Sequence, residues 1–168
     1  MPFVDLDRLP DLVPKGRRLL GLDVGDRTVG LAISDGAWSL ASPIGTIQRR
    51  KFTQDAERLL ATVDEREVGA LVVGLPVNMD GSEGKRCQKT RQFAKNLLGL
   101  RDLPIAFWDE RLSTAAVERA MLAEDRTRRQ RAKSVDTAAA AWILQGALDR
   151  LDDLGEARPG TGEDDGGP

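Results

Sequence analysis

Apolar residues come along this chain in short blocks separated by turn formers. Leu19 to Val24 and Val29 to Ser34 read as two strands joined by a short, glycine-bounded turn. A third, weaker strand is expected around Ile44 to Gln48. Thr53 can then cap a helix in which Ala56, Leu59, Leu60 and Val63 fall at i, i+3, i+4 and i+7. Ala70 to Gly74 (ALVVG) has no polar alternation, as expected of a strand buried on both faces. Leu75 to Glu83 is a loop whose Ser82 can cap a basic helix over about Gly84 to Leu98, with Cys87, Ala94, Leu97 and Leu98 inward. Pro104 to Trp108 is a fifth strand. Ser113 can cap a short helix to about Leu122, Asp125 to Lys133 is an arginine-dense connector, and Ser134 can cap a last helix to about Leu151. Trp108 and Trp142 sit in apolar runs and read as core; Trp38 lies near a turn.

The order is three strands, helix, strand, helix, strand, helix, helix. A hairpin-led sheet continued by alternating helices and strands makes an α/β domain with a mixed five-stranded sheet flanked by helices. Residues 1–16 read as a flexible arm broken by Pro2, Pro10, Pro14 and Gly16, residues 17–152 as the domain, and 153–168 as a disordered acidic tail. No apolar run approaches the roughly 20 residues of a membrane helix. The N-terminus lacks the apolar core of a signal peptide, so a cytoplasmic protein is expected.

Composition narrows the chemistry. Of 168 residues none is histidine, none is tyrosine and one, Cys87, is cysteine. Histidine general bases, zinc sites with histidine or thiolate sets, and phosphotyrosine intermediates are all excluded. A lone cysteine also agrees with a reducing compartment. Carboxylates remain, and these hard oxygen donors suit Mg²⁺ or Mn²⁺. Net charge is −2, but unevenly spread. From Leu151 onward the chain carries about −5, which leaves a mildly basic body near +3. That body is compatible with nucleic acid.

Asp23 ends the first strand, where open α/β sheets bind ligands. The simpler reading of a lone aspartate there is an Asx turn. Glu110, after Asp109, directly follows the last strand, and Asp136 lies at the start of an alanine-rich helix that can pack close to the sheet. Asp136 alone would be explained by the helix dipole. Three acids converging on one sheet edge would repel one another without a cation. With one, they make the composition of a two-metal phosphodiester site, its ions about 3.5–4 Å apart.

GLDVGDRTVGLAISD, VVGLPVNMDGSEGKR, DERLST and KSVDTAAAAWILQGALD resemble, in order, the motifs of the bacterial YqgF family, described as Holliday-junction resolvases and pre-16S rRNA nucleases. The resemblance covers about residues 18–150. It implies a ribonuclease H-like fold, a divalent-metal nuclease, a cytoplasmic location, and an acidic site at Asp23, Glu110 and Asp136. In related resolvases an acid follows the fourth strand; here that strand ends in GLP, so its role passes to Glu110 or is absent.

The bases follow from the polyanion such a site would bind. Lys85 and Arg86 begin a helix, where phosphate is favoured, and Arg27 and Arg111 flank the acidic motifs. Arg126, Arg128, Arg129, Arg131 and Lys133 place five bases in eight residues. Their contacts would fix position rather than sequence. Structured RNA such as an rRNA precursor needs one active site and a monomer suffices, whereas branched DNA calls for a homodimer. Two other readings stay open: an RNA-binding factor without catalysis, and an ATP-binding domain of the actin and sugar-kinase class, whose phosphate loop also reads D-x-G-x-x-x-x-G. The second needs another domain and another such loop, and neither is visible in the chain.

Overall fold

The computed structural model describes residues 3–112 and 128–155; at Leu112 and over 128–137 it describes the backbone alone. One sheet holds five strands in the order β3-β2-β1-β4-β5. They are β1 (Arg18–Val24), β2 (Thr28–Ser34), β3 (Ala41–Gln48), β4 (Val68–Leu75) and β5 (Ile105–Asp109). β1, β2 and β3 form an antiparallel meander. β4 runs parallel to β1, and β5 parallel to β4. The parallel connections pass through α2 (Phe52–Glu65) and α3 (Lys85–Leu100), and α4 (Arg128–Asp153) closes the described chain.

Strand alternation sorts the core into two layers. Leu20, Leu22, Val24, Leu71, Val73 and Ile105 turn toward α2 and α3, where Leu59, Val63, Phe93 and Leu97 meet them. Leu19, Ala70, Val72, Ala106 and Trp108 turn the other way, against Ala140, Ile143, Leu144, Ala147 and Leu148 of α4. A fully buried leucine of this kind stabilises the fold by roughly 1.5–3 kcal/mol. The approach of α4 depends on glycines: a Cβ on Gly21 would lie 2.7 Å from Leu144 Cβ and 3.1 Å from the Ala140 carbonyl.

Several expectations are corrected. The N-terminal segment is docked from Phe3 onward. Val4 N–H donates to the Ile105 carbonyl at 3.0 Å, and Leu9 and Val13 are buried in the α4-side core. Pro10 stands in the first turn of a short helix, α1 (Leu9–Leu12), where proline starts a helix rather than breaking one. β3 begins at Ala41, before Pro43 and Gly45, because an edge strand tolerates both. Neither Thr53 nor Ser82 is an N-cap: Lys51 and Gly84 hold those positions without side-chain caps. Ser82 donates to Asp80 Oδ1 at 2.6 Å instead. The last helix already runs from Arg128, so Ser134 lies within it, as do Arg128 to Lys133, expected in a connector. Trp142 is half-buried. Trp38 is fully buried, its indole N–H donating to the Arg17 carbonyl at 2.8 Å and its backbone held at φ 60°. The helix expected from Ser113 to Leu122 and the tail from 156 lie outside the described residues.

Candidate active site

Asp23 shares strand parity with Leu19 and Gly21, so it faces α4. In register it pairs with Gly30 of β2, and one step back Leu22 pairs with Val73, which sets Asp23 level with Gly74. Gly74 in turn pairs with Trp108. Both partners flanking Asp23 in this register are therefore glycines, and Asp23 is half-buried. Gly74 lets α4 pack directly on the strand: a Cβ there would lie 2.4 Å from Ile143 Cδ1.

Glu110 opens the 3-10 turn Glu110–Leu112 that follows β5. It directly follows Asp109 at the carboxyl end of β5, the same sheet edge at which the parallel strands β1 and β4 end. β5 lies two strand spacings from β1, roughly 10 Å, a span that carboxylate side chains reaching inward from both sides can bridge.

The third acid expected from the sequence, Asp136, lies on the helix. Ala140 backs Gly21 and Ile143 backs Gly74. Gln145 bonds to the backbone of Ala41 and Ser39, at the opposite end of β1. Asp136 lies one turn before Ala140, about 6 Å along the axis, on the stripe 136, 140, 143, 147. Its side chain is outside the described residues. Among those that are described, no three Asp, Glu or Cys side chains are grouped closely enough to hold a metal ion. The donor set of Asp23 and Glu110 with Asp136 is nonetheless all carboxylate oxygen, the chemistry that Mg²⁺ and Mn²⁺ take.

Asp109 has a different task from its neighbour. Its parity turns it to the α3 side, where Arg111 Nη2 and Nε donate to it at 2.7 and 3.1 Å. The Arg111 side-chain hydrogen bonds hold the Asp109 carboxyl below its ordinary pKa. Arg111 Nη1 also reaches the Met79 carbonyl at 3.3 Å. Arg111, expected at phosphate, thus ties the end of β5 to the loop after β4.

Of the other expected bases, Arg27, Lys85 and Arg86 are exposed, on the β1–β2 turn and the first turn of α3. Arg128, Arg129, Arg131 and Lys133 belong to the first turns of α4, their side chains not described. Arg126 lies outside the described residues. Sequence reasoning missed Arg49, whose Nη1 donates to the Gly25 carbonyl at 2.6 Å. The run RRK at 49–51, directly after a strand, was its signal.

Among the described residues no helix is long and apolar enough to cross a membrane. Residues 17–150 match the family described as "RuvX: Holliday junction resolvase". A protein of Rhodospirillum rubrum named "Putative pre-16S rRNA nuclease" is 61% identical over 153 residues, covering 90% of this chain and 95% of its own. One of the same name from Phenylobacterium zucineum is 56% identical, covering 92% of this chain and 100% of its own. Among solved structures, Thermus thermophilus RuvC in complex with a Holliday junction superposes with a TM-score of 0.53 at 14% identity, covering 84% of this chain and 98% of that one. The yeast mitochondrial resolvase Ydc2 does so with 0.51 at 13%, covering 91% and 87%. These two show the fold, which is ribonuclease H-like. The family match and the close relatives bear out the resemblance drawn from the four motifs: the chain belongs to the RuvX family of resolvase-like proteins and pre-16S rRNA nucleases.

Proposed function

We propose that the chain is a divalent-metal-dependent endonuclease that hydrolyses phosphodiester bonds in structured nucleic acid, with an rRNA precursor as its cytoplasmic substrate. The observation that carries this reading is that Asp23 and Glu110 stand at the carboxyl ends of parallel strands on one sheet edge, with Asp136 on the helix that packs against β1 and β4. Asp23, Glu110 and Asp136 would hold the metal. Bound there, Mg²⁺ or Mn²⁺ supplies Lewis-acid activation of water and neutralises charge at the scissile phosphate. The chain does the rest. The sheet fixes Asp23 between two paired strands, and Arg27, Lys85, Arg86 and the basic stretch from Arg126 to Lys133 hold the backbone on either side. Such contacts make binding steeply salt-dependent.

RNA is favoured by relatives at 61% and 56% identity that bear the rRNA-nuclease name. Resolution of branched DNA, by a homodimer, is the second reading, favoured by the family's own description.

Labelled rRNA precursor and a four-way DNA junction, each incubated with Mg²⁺, Mn²⁺ or EDTA, test both. Cutting of the precursor alone, dependent on metal, is the expected result. Cutting of the junction alone transfers the function to DNA. Binding of either without cutting makes the chain a binding factor.

A further inference from the structure

A second cationic feature shares the carboxyl end of β1, on the other face of the sheet. A cleft there is lined by Gly25 and Asp26 of the β1–β2 turn, Arg49 after β3, and Arg86 and Lys89 of α3. Arg49 is fixed from three sides. It donates to the Gly25 carbonyl, its guanidinium carbon lies 5.2 Å from the Phe93 ring centroid, and its Nε is 3.9 Å from Asp55 Oδ2.

Asp55 is 2% exposed. Its Oδ1 accepts from Arg50 N–H at 3.0 Å, but its Oδ2 has no hydrogen-bond partner among the described residues. A buried carboxylate left half-satisfied is destabilising. Its place is explained if it holds Arg49 still. A guanidinium carries five N–H donors, and one of them is engaged in a hydrogen bond here.

The other two cations are exposed and at most weakly paired. Arg86 has no ion pair among the described residues, and Lys89 meets only Asp26, at 3.5 Å with both side chains more than half exposed. Water and salt weaken that contact. Three cations thus face two acids, Asp55 and Asp26, and the N-terminus of the 16-residue helix α3 adds to the positive potential. The cations repel one another unless an anion joins them.

Gly25 is two residues beyond Asp23. A nucleic-acid strand lying across the edge passes from the α4 face, with Asp23, to the α3 face, with this cleft. We propose that the cleft binds a backbone phosphate of that strand, away from the bond at the acidic face, with Arg49 as the fixed donor and Asp55 as its positioning residue. The identity of the ligand rests on the nuclease reading.

The test is fluorescence anisotropy of a labelled structured RNA with the full chain in EDTA, across a salt series. Arg86→Gln/Lys89→Gln should weaken binding about tenfold or more and flatten the slope of log K against log[salt] by about 1.4–1.8, two cations at roughly 0.7–0.9 each. Arg66→Gln/Arg101→Gln, an equal loss of charge at the other end of the sheet, should leave both near wild type. Asp55→Asn should weaken RNA binding in the wild-type background and have no further effect beside Arg49→Gln, whatever it does to the melting temperature. Wild-type affinity and slope in the Arg86/Lys89 variant would overturn the proposal, as would a wild type that binds no nucleic acid. A variant that keeps RNA affinity but loses a thermal shift caused by inorganic phosphate would overturn it in favour of a free anion. Failure of the nuclease reading looks different: binding in EDTA intact, with no cutting in Mg²⁺ or Mn²⁺.

Discussion

Gly21 of β1 and Leu144 of α4 are in such close contact that a Cβ on Gly21 would stand 2.7 Å from Leu144 Cβ. Neither atom lies on a flexible end, so relief requires the helix to move off the sheet. Gly21→Ala should cost about 1–3 kcal/mol, read as a lower urea midpoint. Because α4 also carries Asp136, cleavage per folded molecule should fall as well. A variant of wild-type stability would mean that α4 does not pack as described.

Asp109 closes β5 and Glu110 opens the 3-10 turn after it. Glu110→Gln should lower the cleavage rate by roughly 10²–10³, as loss of a group acting on transition-state charge does, with the fold intact. Asp109→Asn should cost less than about tenfold, since its carboxylate is engaged by Arg111 and acts on the loop after β4. Equal losses in steady-state cleavage would show that the acidic site has been drawn with the wrong residue.

The docked N-terminal segment predicts a stability effect far from any chemistry. Leu9 is fully buried, so Leu9→Ala should cost about 2–4 kcal/mol. In a chain of this size that lowers the melting temperature by roughly 2–4 °C per kcal/mol. An unchanged melting curve would return the arm to a loose state.

Asp64 accepts from Arg101 at 2.9 Å, and this hydrogen bond holds the Asp64 carboxyl below its ordinary pKa. A depressed folded pKa contributes stability above the unfolded value of about 3.9 and loses it as pH falls through the folded one. Arg101→Gln should therefore lower the melting temperature slightly at pH 7, by about 1–2 °C for an exposed pair. The difference from wild type should shrink below pH 4 and vanish in stronger acid. A difference constant with pH would assign the effect to packing.

Much of the fold was legible because buried strands announce themselves. ALVVG and the LLGLDV–VGLAIS pair have no competing reading. What was missed lay where two signals conflict. Prolines at 10 and 14 masked Leu9 and Val13, whose i, i+4 spacing is a helix face. Pro43 and Gly45 hid the first half of β3, an edge strand free of the usual penalties. Trp38 needed tertiary contacts to hold a left-handed backbone that no local rule favours. Asp23 and Glu110 could be named from strand ends alone, but that those ends share one sheet edge came only from the parallel pairing of β1, β4 and β5. The run at 49–51 marks Arg49 as a base after a strand, but its fixed position comes from Asp55 and Phe93, distant from one another along the chain.

The most direct test of the central claim is a side-by-side cleavage assay of wild type and Asp23→Asn on rRNA precursor, with Mn²⁺ and with EDTA. Metal-dependent cutting by wild type, lost in Asp23→Asn while the variant still folds and still binds the RNA, is the result this account predicts. Cutting that persists in purified Asp23→Asn, or that proceeds unchanged in EDTA, would contradict it.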